Sequence, residues 1–137
     1  MDRHPSQDNM YGNAYKYQKR ARAAFPYLIK LAKAGETITY GDLGEKQNWP
    51  KPIHYVSGEP LGSIWTTLYE LQEEWKEGGH NVDIPCLTWI VVSKDTERPS
   101  YDDIPQSEFE VECEKIFNFP LWTSVYEAIV EKILSQI

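Results

Sequence analysis

The sequence predicts an α+β domain, mostly helical, with a small antiparallel sheet and an amphipathic helix at its C-terminal end. Three observations carry this. Apolar residues recur at intervals of three and four over several long segments, β-prone residues cluster in only two or three short stretches, and Gly, Pro and charged turns separate them. The chain has 137 residues, 41% of them hydrophobic, with five Trp, nine Tyr and four Phe. That is enough apolar surface for one core and excludes wholesale disorder.

Residues 1–13 are polar and aperiodic, with Pro5 and Gly12, and read as a mobile arm; residues 14–137 read as the single domain. From Ala14, the positions Ala21, Ala24, Phe25, Leu28, Leu31 and Ala32 form a helical stripe that ends at Gly35, with Pro26 expected to kink or divide the helix. Thr37-Ile38-Thr39-Tyr40 is β-prone, Gly41 to Gln47 reads as a brief helix, and Asn48 to Gly58 reads as an irregular loop. Leu61, Ile64, Trp65, Leu68, Leu71 and Trp75 define an amphipathic helix from Pro60 to Glu77, with Gly78-Gly79 as its exit. Leu87 to Ser93 reads as a strand, and Tyr101 to Ile104 as its short returning neighbour. Ser107 and Glu110 suggest a capping box for a helix through Phe117, and Trp122, Val125, Tyr126, Ile129, Val130, Ile133 and Leu134 a final amphipathic helix.

Net charge is −7, unevenly placed. Residues 1–55 carry nine Lys/Arg and five Asp/Glu, whereas residues 56–137 carry five and sixteen. The later part repels nucleic acid and attracts basic proteins. No apolar run approaches a membrane span and the first residues lack a signal peptide's apolar core, so a cytoplasmic protein with no membrane partner is expected. His4, His54 and His80 and the cysteines Cys86 and Cys113 have no metal-ligand spacing. No GxSxG elbow or Gly-rich phosphate loop is present, so no cofactor, no metal and no enzymatic activity are expected.

The stretch Thr37-Ile38-Thr39-Tyr40-Gly41-Asp42-Leu43-Gly44, followed downstream by Leu61-Gly62-Ser63-Ile64 and by Ile84-Pro85-Cys86, resembles the winged-helix domain of alkylguanine-DNA alkyltransferases and alkyltransferase-like proteins. The resemblance implies a winged-helix-like fold in which the Pro60 helix would enter a DNA groove and Cys86 would accept an alkyl group. The chain departs from that pattern where activity is decided. Cys86 is followed by Leu87 and Thr88 instead of His and Arg, and Ser57-Gly58-Glu59-Pro60 places a carboxylate where the family places a cation. Cys86 accordingly reads as a small core residue.

Two binding functions follow as expectations. The first is a non-enzymatic acidic protein that neutralises a basic partner, an immunity protein blocking a toxin nuclease. It would bind through Glu70, Glu73, Glu74, Glu77, Asp102 and Asp103, with Tyr69 and Tyr101 as anchors. The alternative is a winged-helix nucleic-acid-binding regulator using Lys16, Lys19 and Arg20 with Ser63, Thr66 and Thr67. Nucleic acid is the less favoured partner, because acidic residues on the groove-facing helix oppose counterion release.

Overall fold

The computed structural model describes residues 7–99 and 104–136. Among the described residues, six α-helices and two short strands follow one another as α1 (Lys16–Ala34), β1 (Ile38–Thr39), α2 (Tyr40–Gln47), α3 (Ile53–Val56), α4 (Gly58–Glu77), β2 (Val91–Val92), α5 (Gln106–Asn118) and α6 (Trp122–Leu134). A single 3-10 turn, Leu87–Ile90, precedes β2. The architecture is mostly helical α+β.

Helix α1 is continuous through Pro26, so the proline does not divide it in two. Pro26 itself is an exposed position of the helix, which keeps its ring out of the core. Gln18 closes the first turn by accepting the Tyr15 N–H through Oε1 at 3.1 Å. At the other end Gly35, at φ 72°, reverses the chain, with the Glu36 N–H returned to the Leu31 carbonyl. The buried stripe Ala21, Ala24, Phe25, Leu28 and Ala32 packs chiefly against Leu61, Ile64, Leu68 and Leu71 of α4, and these two helices are the spine of the core.

The sheet is parallel, with Ile38 opposite Val91 and Thr39 opposite Val92. This corrects the expected antiparallel pairing. β2 pairs with the strand that precedes the α2–α4 crossover, and a crossover connection delivers parallel neighbours. The returning strand expected at Tyr101 to Ile104 lies mostly outside the described residues. Leu87 to Ile90, read as strand, form the 3-10 turn, in which the Trp89 N–H donates to the Cys86 carbonyl at 3.0 Å. All four residues are buried, and a continuous apolar run reports burial without reporting its backbone form. The loop expected at Asn48 to Gly58 contains α3, which passes into α4 through Ser57 in helical conformation.

Helix α5 begins at Gln106 after Pro105 and has no side-chain cap, so Ser107 and Glu110 do not form the expected capping box; Gln106 Nε2 donates instead to Glu110 Oε1 at 3.0 Å. Trp122 fixes the corner between α5 and α6. Its indole N–H donates to the Ile116 carbonyl at 2.7 Å, and its ring meets Phe119 edge-on with centroids 4.7 Å apart. Phe25 and Tyr126, 6.1 Å apart and near parallel, join α6 to α1.

Residues 7–13, read as part of the arm, are packed onto α1 and α4. Met10 is fully buried, and its N–H donates to Thr67 Oγ1 at 3.0 Å. Arg22 donates to the carbonyls of Met10 and Gly12 and to Asn13 Oδ1. The segment is held by hydrogen bonds between its backbone and side chains scattered over α1 and α4, which leaves no periodic trace in sequence.

Candidate functional site

Trp65, Leu68, Tyr69 and Gln72 share one face of α4, being spaced i, i+3, i+4 and i+7. That face is one wall of a cleft of about 610 Å³; Glu112, Lys115, Asn118 and Phe119 line the other side, and residues 83–88 run between. Two side chains stitch this segment to the helices. Gln72 Oε1 accepts the Ile84 N–H at 2.6 Å, and Glu112 Oε2 accepts the Cys86 N–H at 2.8 Å. Asp83, also lining the cleft, pairs with Lys76 at 3.2 Å on the next turn of α4. Glu112 makes no ion pair among the described residues, and its Oε1 has no donor there.

Cys86 lies within this cleft, 3.7 Å from Thr88 Oγ1. Burial pushes its thiol up to about 12, opposed by the Thr88 contact and reinforced by the Glu112 charge. Cys113, on α5, is pushed up to about 11, by burial first and Glu112 second. Thiols held neutral in this way are poor nucleophiles at physiological pH. Among the described residues no group of three or more His, Cys, Asp or Glu side chains could hold a metal ion. A second cleft, of about 640 Å³, lies between α2 and the start of α4, where Lys51 and Lys94 are matched by Asp42 and Glu45.

Helix α4 carries five glutamates; Glu59 is exposed in its first turn, and the structure divides the other four. Glu70 Oε1 accepts from Asn9 Nδ2 at 2.8 Å, and Glu74 pairs with Lys132 of α6, so both are engaged in holding the fold. Glu73 and Glu77 follow Tyr69 at i+4 and i+8 and carry no ion pair among the described residues; Tyr69 is 38% exposed. Tyr69 and Glu77 are exposed and Glu73 is half-buried, so the three make a stripe that leads away from the cleft wall at Tyr69. Asp102, Asp103 and Tyr101 lie outside the described residues. Beside Glu70 and Glu74, burial and then these two carboxylates push the Tyr11 hydroxyl above its usual range.

The alternative surface is not brought together. Ser63 and Thr67 are wholly buried against the core and residues 7–10, Thr67 Oγ1 donating to the Ser63 carbonyl at 2.8 Å, and Thr66 donates to the Gln7 carbonyl at 3.0 Å. These three hydroxyls, expected in a groove, serve the interior or the packed segment instead. Lys16 and Lys19 are exposed and Arg20 is half-buried, near Tyr15, whose ring stacks on Tyr17 with centroids 5.1 Å apart.

Trp65, Gln72, Glu112 and Phe119 were not singled out from sequence. Trp65 belongs to the apolar stripe Leu61, Ile64, Trp65, Leu68, Leu71 and Trp75, the i+4 and i+7 spacing from Trp65 is the signal that could have grouped Tyr69 and Gln72 with it, and Glu112 is indistinguishable within the Glu108, Glu110, Glu112, Glu114 alternation. No helix among the described residues is long and apolar enough to cross a membrane. No protein-family model, no curated protein and no solved structure matches the chain.

Proposed function

We propose that this chain is a non-enzymatic, acidic protein-binding domain that neutralises a basic partner, and that the partner is a toxin nuclease whose cationic active-site groove it covers in the cytoplasm. The observation that carries the reading is the stripe Tyr69–Glu73–Glu77 beside the α4–α5 cleft. It sets an exposed aromatic anchor next to two carboxylates that the fold itself does not use. The excess of eleven negative charges over residues 56–137 supports long-range attraction to such a partner. The winged-helix-like arrangement belongs to the same proposal. The succession α1, β1, α2, α4, β2 supports it, while the parallel pairing of the strands departs from a hairpin wing.

The test is co-expression with candidate basic nuclease domains, followed by nuclease inhibition and association-rate measurements across salt. Inhibition is expected, with the association rate falling by about tenfold or more between low and high salt. Reversing Glu73 and Glu77 to Lys should weaken the complex without lowering the melting temperature. No inhibition, or salt-independent binding unchanged by that double reversal, overturns the reading. A nucleic-acid-binding role is favoured by one observation only, the Tyr15–Tyr17 stack beside the exposed Lys16 and Lys19. Tight, steeply salt-dependent duplex binding lost on Lys16→Glu/Lys19→Glu would support that alternative.

A further inference from the structure

Resting on the protein-binding reading, we infer that the cleft between α4 and α5 is a socket for one arginine side chain of the basic partner. Its walls supply what a guanidinium recognises. Trp65, Tyr69 and Phe119 are partly exposed aromatic residues lining the cleft, and a guanidinium plane stacks on such rings. Glu112 is a half-buried carboxylate with one oxygen committed to the Cys86 N–H and the other without a donor among the described residues. A carboxylate partly withdrawn from water gains most from a cation that can donate to its open oxygen while the rings exclude solvent.

Charge favours the same occupant. Asp83 and Glu112 line the cleft against one exposed cation, Lys115, and Asp83 is already answered by Lys76. The unanswered charge is therefore Glu112, at the place where the aromatic walls meet the stitched segment. The Glu112 charge also adds to burial in raising the Cys86 thiol, which places negative potential inside the cleft. A lysine would satisfy the charge but not the flat stacking surface, so arginine should be preferred.

The experiment titrates the full chain with N-acetyl-arginine amide and, separately, N-acetyl-lysine amide, following the Trp65 indole and Cys86 amide resonances. Saturable shifts at both sites are expected with the arginine probe, at a dissociation constant on the order of millimolar for so small a ligand. The lysine probe should bind several-fold more weakly. Glu112→Gln is the decisive variant, because glutamine keeps an oxygen for the Cys86 N–H while removing the charge. It should retain the melting temperature and lose about fivefold or more in arginine affinity. Tyr69→Ala should also weaken the arginine probe.

Unmoved Trp65 and Cys86 resonances, equal binding of both probes, or an unaffected Glu112→Gln variant overturns the socket. Nuclease inhibition that persists without arginine binding keeps the partner reading and removes the socket. Arginine binding without any inhibition keeps the socket and removes the partner assignment.

Discussion

Replacing Gly44 by alanine should destabilise the protein, although alanine is the better helix former by about 1 kcal/mol. Gly44 is a buried position of α2, and a Cβ built there would fall 2.5 Å from Ile53 Cδ1 and 2.9 Å from both Cγ1 and Cγ2. Carbon atoms in contact prefer about 3.5–4.0 Å, so all three approaches are overlaps. Cγ1 and Cγ2 share one branched Cβ, so rotation that withdraws one brings the other forward. Overpacking of this kind costs about 1–3 kcal/mol. Set against the propensity gain of about 1 kcal/mol, Gly44→Ala should lose up to about 2 kcal/mol. Gly41, in the same helix, has nothing within 4 Å of its would-be Cβ, and Gly41→Ala should gain up to about 0.5 kcal/mol. Urea denaturation followed by far-UV circular dichroism gives both values. In an Ile53→Ala background the penalty should vanish and Gly44→Ala should turn stabilising, a coupling of about 1–3 kcal/mol. A single Gly44→Ala variant clearly more stable than the unaltered protein, or equal effects in both backgrounds, refutes the packing of α2 on α3.

Ser63→Ala should stabilise the protein, because the Ser63 hydroxyl is buried with no hydrogen-bond partner among the described residues while its carbonyl, which serves Thr67, is untouched. A gain of about 1 kcal/mol, or roughly 3–5 °C in melting temperature, is expected, and a fall in melting temperature would show that the hydroxyl has a function in the fold. Both thiols titrate higher in the folded state than their ordinary value of 9.0, to about 12 for Cys86 and about 11 for Cys113. The unfolded chain therefore releases these protons first, and the associated stability, complete below pH 9, is lost as pH rises toward 11–12. The slope approaches about 1.4 kcal/mol per pH unit for each thiol, and denaturation midpoints of the Cys86→Ala variant across that range should show a smaller decline. The same native protein should react slowly with thiol reagents at pH 8 and rapidly in denaturant.

How far the sequence reports the fold depends on the kind of contact. Helices α1 and α4 were legible because a core-facing stripe imposes a 3.6-residue period on side-chain type, and α4 differs from its predicted span by two residues at one end. The Leu87–Ile90 turn was not legible, because its residues are buried on all sides and a strand and a tight turn then look alike. The parallel register depends on which strand β2 meets across the crossover, a long-range choice that no local pattern encodes. For the candidate site, Tyr69 and the acidic turns of α4 were legible as a surface. What the sequence could not divide was which carboxylates the fold keeps, since the partners Asn9 and Lys132 of Glu70 and Glu74 lie about sixty residues away on either side.

That division follows from the position of α4, which meets a different neighbour on each side. Leu61, Ile64, Leu68 and Leu71 bury against the core with α1, so substitutions there act on stability. Thr66, Thr67 and Glu70 bind residues 7–10, and Glu74 binds α6, so these groups close the fold over what sequence alone makes look like an open recognition surface. Only the remaining sector, from Trp65 and Gln72 through Tyr69 to Glu73 and Glu77, combines solvent access, ring surface and carboxylates outside the fold's own ion pairs. A helix so enclosed cannot lie in a nucleic-acid groove along its length without displacing residues 7–10 and with them the fully buried Met10. A basic partner can meet the open sector without moving anything the core depends on, and that asymmetry of cost favours a protein ligand over a polyphosphate at α4.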